Sequence, residues 1–239
     1  KAVVLIYRTE LLPCPERTAQ AWRNEARSHG IGELHLLRVE GFRSDVDPAS
    51  IGFDGAVEFA PDWRRLEDSY LRTRLPRKLA KWGVIPDVFM ENAVSSYAGM
   101  VERMLAKERP RFRRYRCVTP GFDNSARRKS NAAILLGTTP SAYQEWLEKV
   151  VSAELRDSVG DDRIVFINAW NEWGEGNHLE PDVRFGMAYL EATRRALSLR
   201  LATIAGSRRH ETPGHDRSEP PVPTDARFSS RLGEMIEIS

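Results

Sequence analysis

Short β-rich apolar runs recur along this chain with helical stretches between them, and that alternation limits the folds open to it more than any other feature. "AVVLIYR" (Ala2 to Arg8) leads into "PERTAQAWRNEARSHG", where Ala19, Trp22 and Ala26 fall at helical spacing and Gly30 is a stop signal. "ELHLLRVE" (Glu33 to Glu40) and "GAVEF" (Gly55 to Phe59) read as the second and third strands. "YRCVTPGFDN" reads as a fourth that breaks at Pro120 and Gly121, and "RIVFINAW" as a fifth. The spacing predicts an amphipathic helix over Ala93 to Glu108, and another over "TPSAYQEWLEKVVSAELRDS" capped by Thr139 or Ser141. A last helix is expected over "RFGMAYLEATRRALSLRLATIA", with Trp22, Trp82 and Trp146 as core residues on helical patterns and Trp63 in a loop. Parallel neighbours need crossover connections, so the chain is expected to be α/β with a parallel sheet.

Two architectures satisfy that pattern: an open doubly wound sheet and a (β/α)8 barrel. No GxGxxG or GxxxxGK[ST] follows any strand, which removes support from the nucleotide-binding members of the open class. Each strand instead ends in polar or aromatic groups: Tyr7 and Arg8, Arg38 and Glu40, Glu58, Asp123 and Asn124, then Asn168, Trp170, Asn171 and Glu172. Chemistry drawn from the C-terminal ends of several strands is how a barrel builds its site. Five strands are visible where eight are needed. The expected fold is therefore the C-terminal portion, about five βα units, of a (β/α)8 TIM-type barrel over residues 1–205. The chain opens on Lys1 and enters a strand at once, as though cut from something longer, and an open seam is expected to leave it poorly stable alone.

From Gly206 the pattern gives way to "GSRRHETPGHDRSEPPVPTDARFSS", so residues 206–239 are expected to be a disordered tail or a linker towards further domains. His210 and His215 lie in it, with nothing nearby to hold a metal. The 36 basic and 34 acidic residues nearly balance, so charge gives no case for a nucleic-acid partner. The basic run "RPRFRRYR" (Arg109 to Arg116) reads as a solvated face or loop. Cys14 and Cys117 stand alone, arguing against zinc or a disulfide framework and for a reducing compartment. No run approaches the roughly 20 apolar residues that span a bilayer.

The densest chemistry is in "IVFINAWNEWGEGNHLEPD" (Ile164 to Asp182). Glu172 and Glu175 stand three residues apart where the chain leaves the fifth strand, and Gly174 and Gly176 allow a tight path. Two carboxylates in one pocket push their titrations apart, so one can stay protonated while the other is ionised, the division that glycosidic-bond chemistry requires. Trp170 and Trp173 offer indole faces to a sugar ring, and Asn171 and His178 offer hydrogen bonds to its hydroxyls. Glutamates at a strand end also cap helices or pair with arginines, and tryptophans are often core, so the residues alone leave both readings open. Asp123 and Asn124 orient substrate hydroxyls or cap the next turn; Glu58 and Glu40 line the pocket floor or pair with Arg8 or Arg38. Tyr7 is a weaker candidate on the same strand ends, and Glu180 before Pro181 fixes the loop. "DVD" (Asp45 to Asp47) lies in a loop and makes no convincing nucleotide-sugar site.

The order "FINAWNEWGEGNHLEPD" followed by "G-x-AYLEA" resembles the WbsX-type proteins of bacterial surface-polysaccharide biosynthesis, whose domain is described as similar to glycoside hydrolase family 99. "GIGELHLLRVEGF", "GFDGAVEF", "VTPGFDNSARR" and "AYQEWL" extend the resemblance over most of the chain. It implies a glycosyltransferase or glycoside hydrolase on a (β/α)8 barrel, with no cofactor or metal, acting on a carbohydrate such as an activated sugar or a lipid-linked glycan. It also implies a cytoplasmic place, at the inner face of the bacterial membrane. By position in the family 99 element, Glu175 is the general acid and base, and Glu172 assists the sugar 2-hydroxyl as internal nucleophile, with retention through a 1,2-anhydro intermediate. WbsX-type members are labelled glycosyltransferases, so hydrolysis, transglycosylation and transfer all fall within the resemblance. A non-catalytic glycan-binding module and a structural barrel fragment are the alternatives.

Overall fold

A computed structural model describes residues 1–208, apart from 42, 44, 45 and 129, together with residues 235–237. Its centre is a sheet of β1 (Ala2–Ile6), β2 (Leu34–Val39), β3 (Gly55–Val57), β5 (Arg114–Val118), β7 (Val165–Ile167) and β10 (Met235–Glu237), in that spatial order. Every pairing in this sheet is parallel, from Ala2 opposite Leu34 to Cys117 opposite Phe166, and the sheet is curled as half a barrel. β4 (Ala93–Ser96) pairs in parallel with β6 (Ala133–Leu136) at the side, and β8 (Asn171–Glu172) forms a small hairpin with β9 (Asn177–His178). The helices are α1 (Pro15–Ser28), α2 (Arg74–Lys81), α3 (Asp87–Met90), α4 (Tyr97–Leu105), α5 (Pro140–Asp157) and α6 (Ala188–Arg208).

The five apolar runs of the sequence supply β1, β2, β3, β5 and β7, because branched and aromatic residues buried on the pleat favour strand. Leu37, Val57, Tyr115, Cys117 and Phe166 share one buried cluster with Met100 of α4 and Trp146 and Leu147 of α5. Leu34 and Leu36 join Ala19 and Ala26 of α1 in a second cluster. Each leucine, valine, phenylalanine or methionine among them contributes about 1.5–3 kcal/mol on full burial. Thr139 caps α5, its Oγ1 accepting from Ala142 N at 3.2 Å, and Pro140 takes the first turn, where its missing N–H costs nothing.

Three expectations need correction. Ala93 to Ser96 are strand, and the helix begins at Tyr97, where Ser96 Oγ accepts from Gly99 N at 3.2 Å; a short strand running into a capped helix had merged into one periodic pattern. Trp82 is 70% exposed at the end of α2, whereas Trp146 is buried and Trp22 is partly buried against the α1 cluster. The basic run is an exposed loop only over its first part, where Arg109 and Arg111 face solvent, and from Arg113 on it is not a solvated face. Arg114 lies 3.3 Å from Glu58, Arg116 3.6 Å from Glu154 and Arg113 3.4 Å from Glu154, all with less than a third of the side chain exposed, because carboxylates from β3 and α5 meet the run from both sides. Asp47 caps the turn Pro48–Ile51, its Oδ1 accepting from Ala49 N at 2.9 Å; Asp45, His210 and His215 lie outside the described residues, as do 209–234 of the tail.

Candidate active site

Beyond β7 the chain is fixed by side chains before it presents any chemistry. Asn168 Nδ2 donates to Ala60 O at 2.7 Å, and Ala169 N donates to Asn177 Oδ1 at 3.1 Å. The same Asn177 oxygen accepts from Thr119 Oγ1 at 2.8 Å, so one wholly buried amide joins the end of β5 to the β8–β9 hairpin. Glu172 stands opposite Asn177, a single 3-10 turn (Trp173–Glu175) follows, and Gly176 closes it at φ +55, where a Cβ would sit 3.1 Å from Asp123 O. Asp123 N donates to Glu175 O at 2.7 Å, tying the loop after β5 to the turn. Asn177→Ala should leave the buried Ala169 N unpaired, while Thr119 Oγ1 keeps Gly121 O as an acceptor at 2.7 Å, and cost about 1–3 kcal/mol, read as a lowered urea midpoint; an unchanged midpoint would show that the amide is not the tie described.

Glu172 and Glu175 project from this turn to one cation. Arg127 Nη1 lies 3.2 Å from Glu172 Oε2 and 3.1 Å from Glu175 Oε1. Glu175 is the more sheltered of the two, with 27% of its side chain exposed against 37%. Burial and then the Glu172 carboxylate push Glu175 above the usual carboxylate range, against the pull of Arg127 and Arg128. Tyr7 belongs to the same electrostatic group: burial and then Glu175 push its phenol up, and Arg8 opposes them. Its ring is exposed at the end of β1 and tilts against Phe59 with centroids 5.6 Å apart.

Aromatic side chains neighbour the carboxylates along the chain. Trp173 is stacked on His178, centroids 3.8 Å apart and 13° from parallel, and its Nε1 donates to Glu180 Oε2 at 2.6 Å. His178 Nδ1 lies 3.2 Å from Glu180 O and its Nε2 3.9 Å from Asp182. Trp170 is 40% exposed, and its carbonyl accepts from Leu179 N and Glu180 N, which closes the hairpin. Asn171 is exposed on β8, and Trp63 meets Phe122 edge-on at 4.8 Å. Trp173, His178 and Asp123 also line a cleft of about 700 Å³ with Thr138, Arg184 and Tyr189, and neither glutamate lines it.

Other candidates are placed elsewhere or act through the backbone. Glu40 and Glu58 are buried, and their carboxylates meet Lys107 at 3.9 and 3.7 Å and Arg114 at 4.0 and 3.3 Å. They belong to an internal ion cluster, not to the solvent-facing pair, and their cations come from the end of α4 and from β5. Asn124 is buried, its Oδ1 accepting from Ala133 N at 2.8 Å, and Asp123 Oδ1 accepts from Ser125 N at 2.9 Å; both shape the loop that carries Arg127. Arg127, Thr119 and Asn177 were not among the candidates. The signal for Arg127 was only its place in "GFDNSARR", four residues after Asp123. Among the described residues no group of His, Cys, Asp and Glu has the geometry to hold a metal ion, and no helix is long and apolar enough to cross a membrane.

The chain has relatives among known proteins. The family model described as Glycosyltransferase WbsX matches residues 1–193. "Uncharacterized protein WxcX" from two strains of Xanthomonas campestris pv. campestris is 41% identical over 198 residues, 83% of this chain. The chain spans 27% of the length of these curated relatives. Among solved structures, a "Glycoside hydrolase-like protein" superposes with a TM-score of 0.51 at 14% identity, over 81% of this chain and 53% of its own, a likeness of fold.

Proposed function

Because the chain belongs to the WbsX glycosyltransferase family, we propose that it is a carbohydrate-active enzyme domain, built on part of a (β/α)8 barrel, that makes or cleaves glycosidic bonds of bacterial surface polysaccharide. The observation that carries this reading is the meeting of Glu172 and Glu175 on one guanidinium beside an exposed indole. Glu172 takes the proton of the sugar 2-hydroxyl as O2 bonds to C1; the bond from C1 to the departing oxygen breaks, and Glu175 supplies that oxygen with a proton. Water or an acceptor hydroxyl then opens the 1,2-anhydro ring, giving its own proton to Glu175 while O2 recovers one from Glu172. Two inversions at C1 leave the configuration retained. Hydrolysis and transfer differ only in the acceptor, and Trp173 and Trp170 offer the sugar an apolar face in either case.

The raised proton affinity of Glu175 suits the acid, since a general acid works best near the pH at which it operates. Glu175 must hold its proton, so activity that depends on it is present below its pKa and lost as pH rises through it. The alkaline limb of kcat/KM is therefore expected above the ordinary Glu value of about 4.3, and a limb at that value would remove Glu175 as the acid. The function itself is tested by incubating the protein with a panel of bacterial O-antigen and capsular glycans and reading new reducing ends or transfer products by mass spectrometry. Turnover of none of them would overturn it, and saturable binding without turnover would favour a glycan-binding module instead.

A further inference from the structure

We propose that Arg127 is a positioning residue of this site: seated across the bare backbone of Gly174, it clamps Glu172 and Glu175 together and supplies the positive charge both carboxylates share. The inference rests on the reading of the pair as the reacting carboxylates, but the geometry that carries it is independent of any substrate. A single nitrogen, Nη1, lies 3.2 Å from one carboxylate and 3.1 Å from the other. The two glutamates approach each other closely enough to raise Glu175, and a cation between them offsets that repulsion.

The seat is specific. A Cβ on Gly174 would stand 2.8 Å from Arg127 Cδ and 3.3 Å from its Cγ and Nε, so the arginine stem occupies the space that any other residue at 174 would fill. The backbone from which Arg127 springs is held too: Arg127 N donates to Asn124 O at 3.0 Å, and Asp123 N donates to Glu175 O at 2.7 Å. Loop and turn are therefore tied together through the backbone, and this brings the half-exposed Arg127 side chain to the carboxylates. The groups that face Glu175 are Glu172 on its own turn, Arg127 and Arg128 on the loop after β5, and Tyr7 at the end of β1. Of these, Arg127 is in direct contact with both carboxylates.

The consequence is a defined change in titration. Without the guanidinium, Glu175 keeps its burial and its anionic neighbour and loses the larger of the two cationic influences, so its proton is held more tightly. The test is a pH titration of the full chain labelled with carboxyl-¹³C glutamate, followed by NMR, with spectra of Glu172→Gln and Glu175→Gln giving the assignments. Arg127→Ala is expected to move the Glu175 midpoint upward, and Arg127→Lys, which keeps a charge but not the planar fork, to move it less. Gly174→Ala removes no charge and is expected to shift the midpoint in the same direction by pushing Arg127 aside; it also carries the test if Arg127→Ala does not fold. A Glu175 midpoint that is unchanged or falls in Arg127→Ala overturns the proposal, and an unchanged midpoint in Gly174→Ala overturns the seat. Because the titration needs no turnover, a protein that transforms no glycan yet shows the shift would sink the proposed function and leave the role of Arg127 standing. On an active glycan, the alkaline limb of kcat/KM should rise with the NMR midpoint, which a merely structural arginine would not produce.

Discussion

The Glu175→Gln protein is expected to fold normally, bind its glycan and lose at least ~100-fold in turnover, since a positioned acid-base group contributes roughly 10²–10⁴ in rate. The amide matches the carboxylate in shape, and its oxygen can still accept from Arg127, 3.1 Å away in the native site, so the turn should not rearrange. What disappears is the proton that the departing oxygen needs. An aryl glycoside, whose leaving group departs without help, should therefore lose much less rate than the natural glycan, whereas Glu172→Gln should slow both alike because it acts on the 2-hydroxyl. Steady-state kinetics on both substrates checks this. Near-normal turnover of the natural glycan by Glu175→Gln would remove that residue from the mechanism, and equal losses on both substrates would reassign its role.

Those two residues could be read from the sequence because the pair is local: three positions apart on one turn, flanked by glycines and an indole, they meet wherever the turn goes. Arg127 stands 45 residues before Glu172, and nothing short-range distinguishes it from Arg128 beside it or from arginines of the exposed faces. Only the folding of the β5 loop onto the β8–β9 hairpin brings it there. The main strands were legible for a related reason. An apolar run of five or six residues declares itself, as in "AVVLI" and "LHLLRV". "AVSS" runs into a helix whose period masks it, and four-residue "AILL" is too short to separate from a loop's apolar residues. Tyr7 and Glu58 were read alike as polar strand ends, yet one is exposed beside Glu175 and the other is buried among cations. Which side of a strand end faces solvent depends on helices packed there, and sequence alternation cannot state that once the strand stops.

The buried cations give the largest stability effect expected in this fold. Lys107, with 4% of its side chain exposed, places Nζ 3.2 Å from Asp62 Oδ2, 3.7 Å from Glu58 Oε1 and 3.9 Å from Glu40 Oε2. Arg114 reaches Glu58 and Glu40 but not Asp62, whose other partner, Arg64, is partly exposed. Both Glu40 oxygens are buried without a hydrogen bond, so that carboxylate relies on nearby charge. Burial pushes Glu40 above the usual range, and Lys107 is the foremost influence opposing it. Lys107→Met keeps the apolar stem and removes the charge, a change expected to cost about 3–5 kcal/mol because it leaves a buried carboxylate uncompensated. In a chain of this size that is a fall in Tm of roughly 6–20 °C. The sign of the pH dependence follows from Glu40: a group whose folded pKa is raised stabilises the fold below its unfolded pKa and ceases to do so as pH rises through the folded value. Without Lys107 that folded value climbs further, so the deficit against the native chain should shrink from about pH 8 towards about pH 5, where a proton on Glu40 replaces the missing ammonium. Adding Glu40→Gln should restore part of the loss at neutral pH. Thermal unfolding of the native chain, the two single variants and the double variant at both pH values decides it; a Lys107→Met loss below about 1 kcal/mol, or one independent of pH and of Glu40, would show that the cluster is held by its arginines alone.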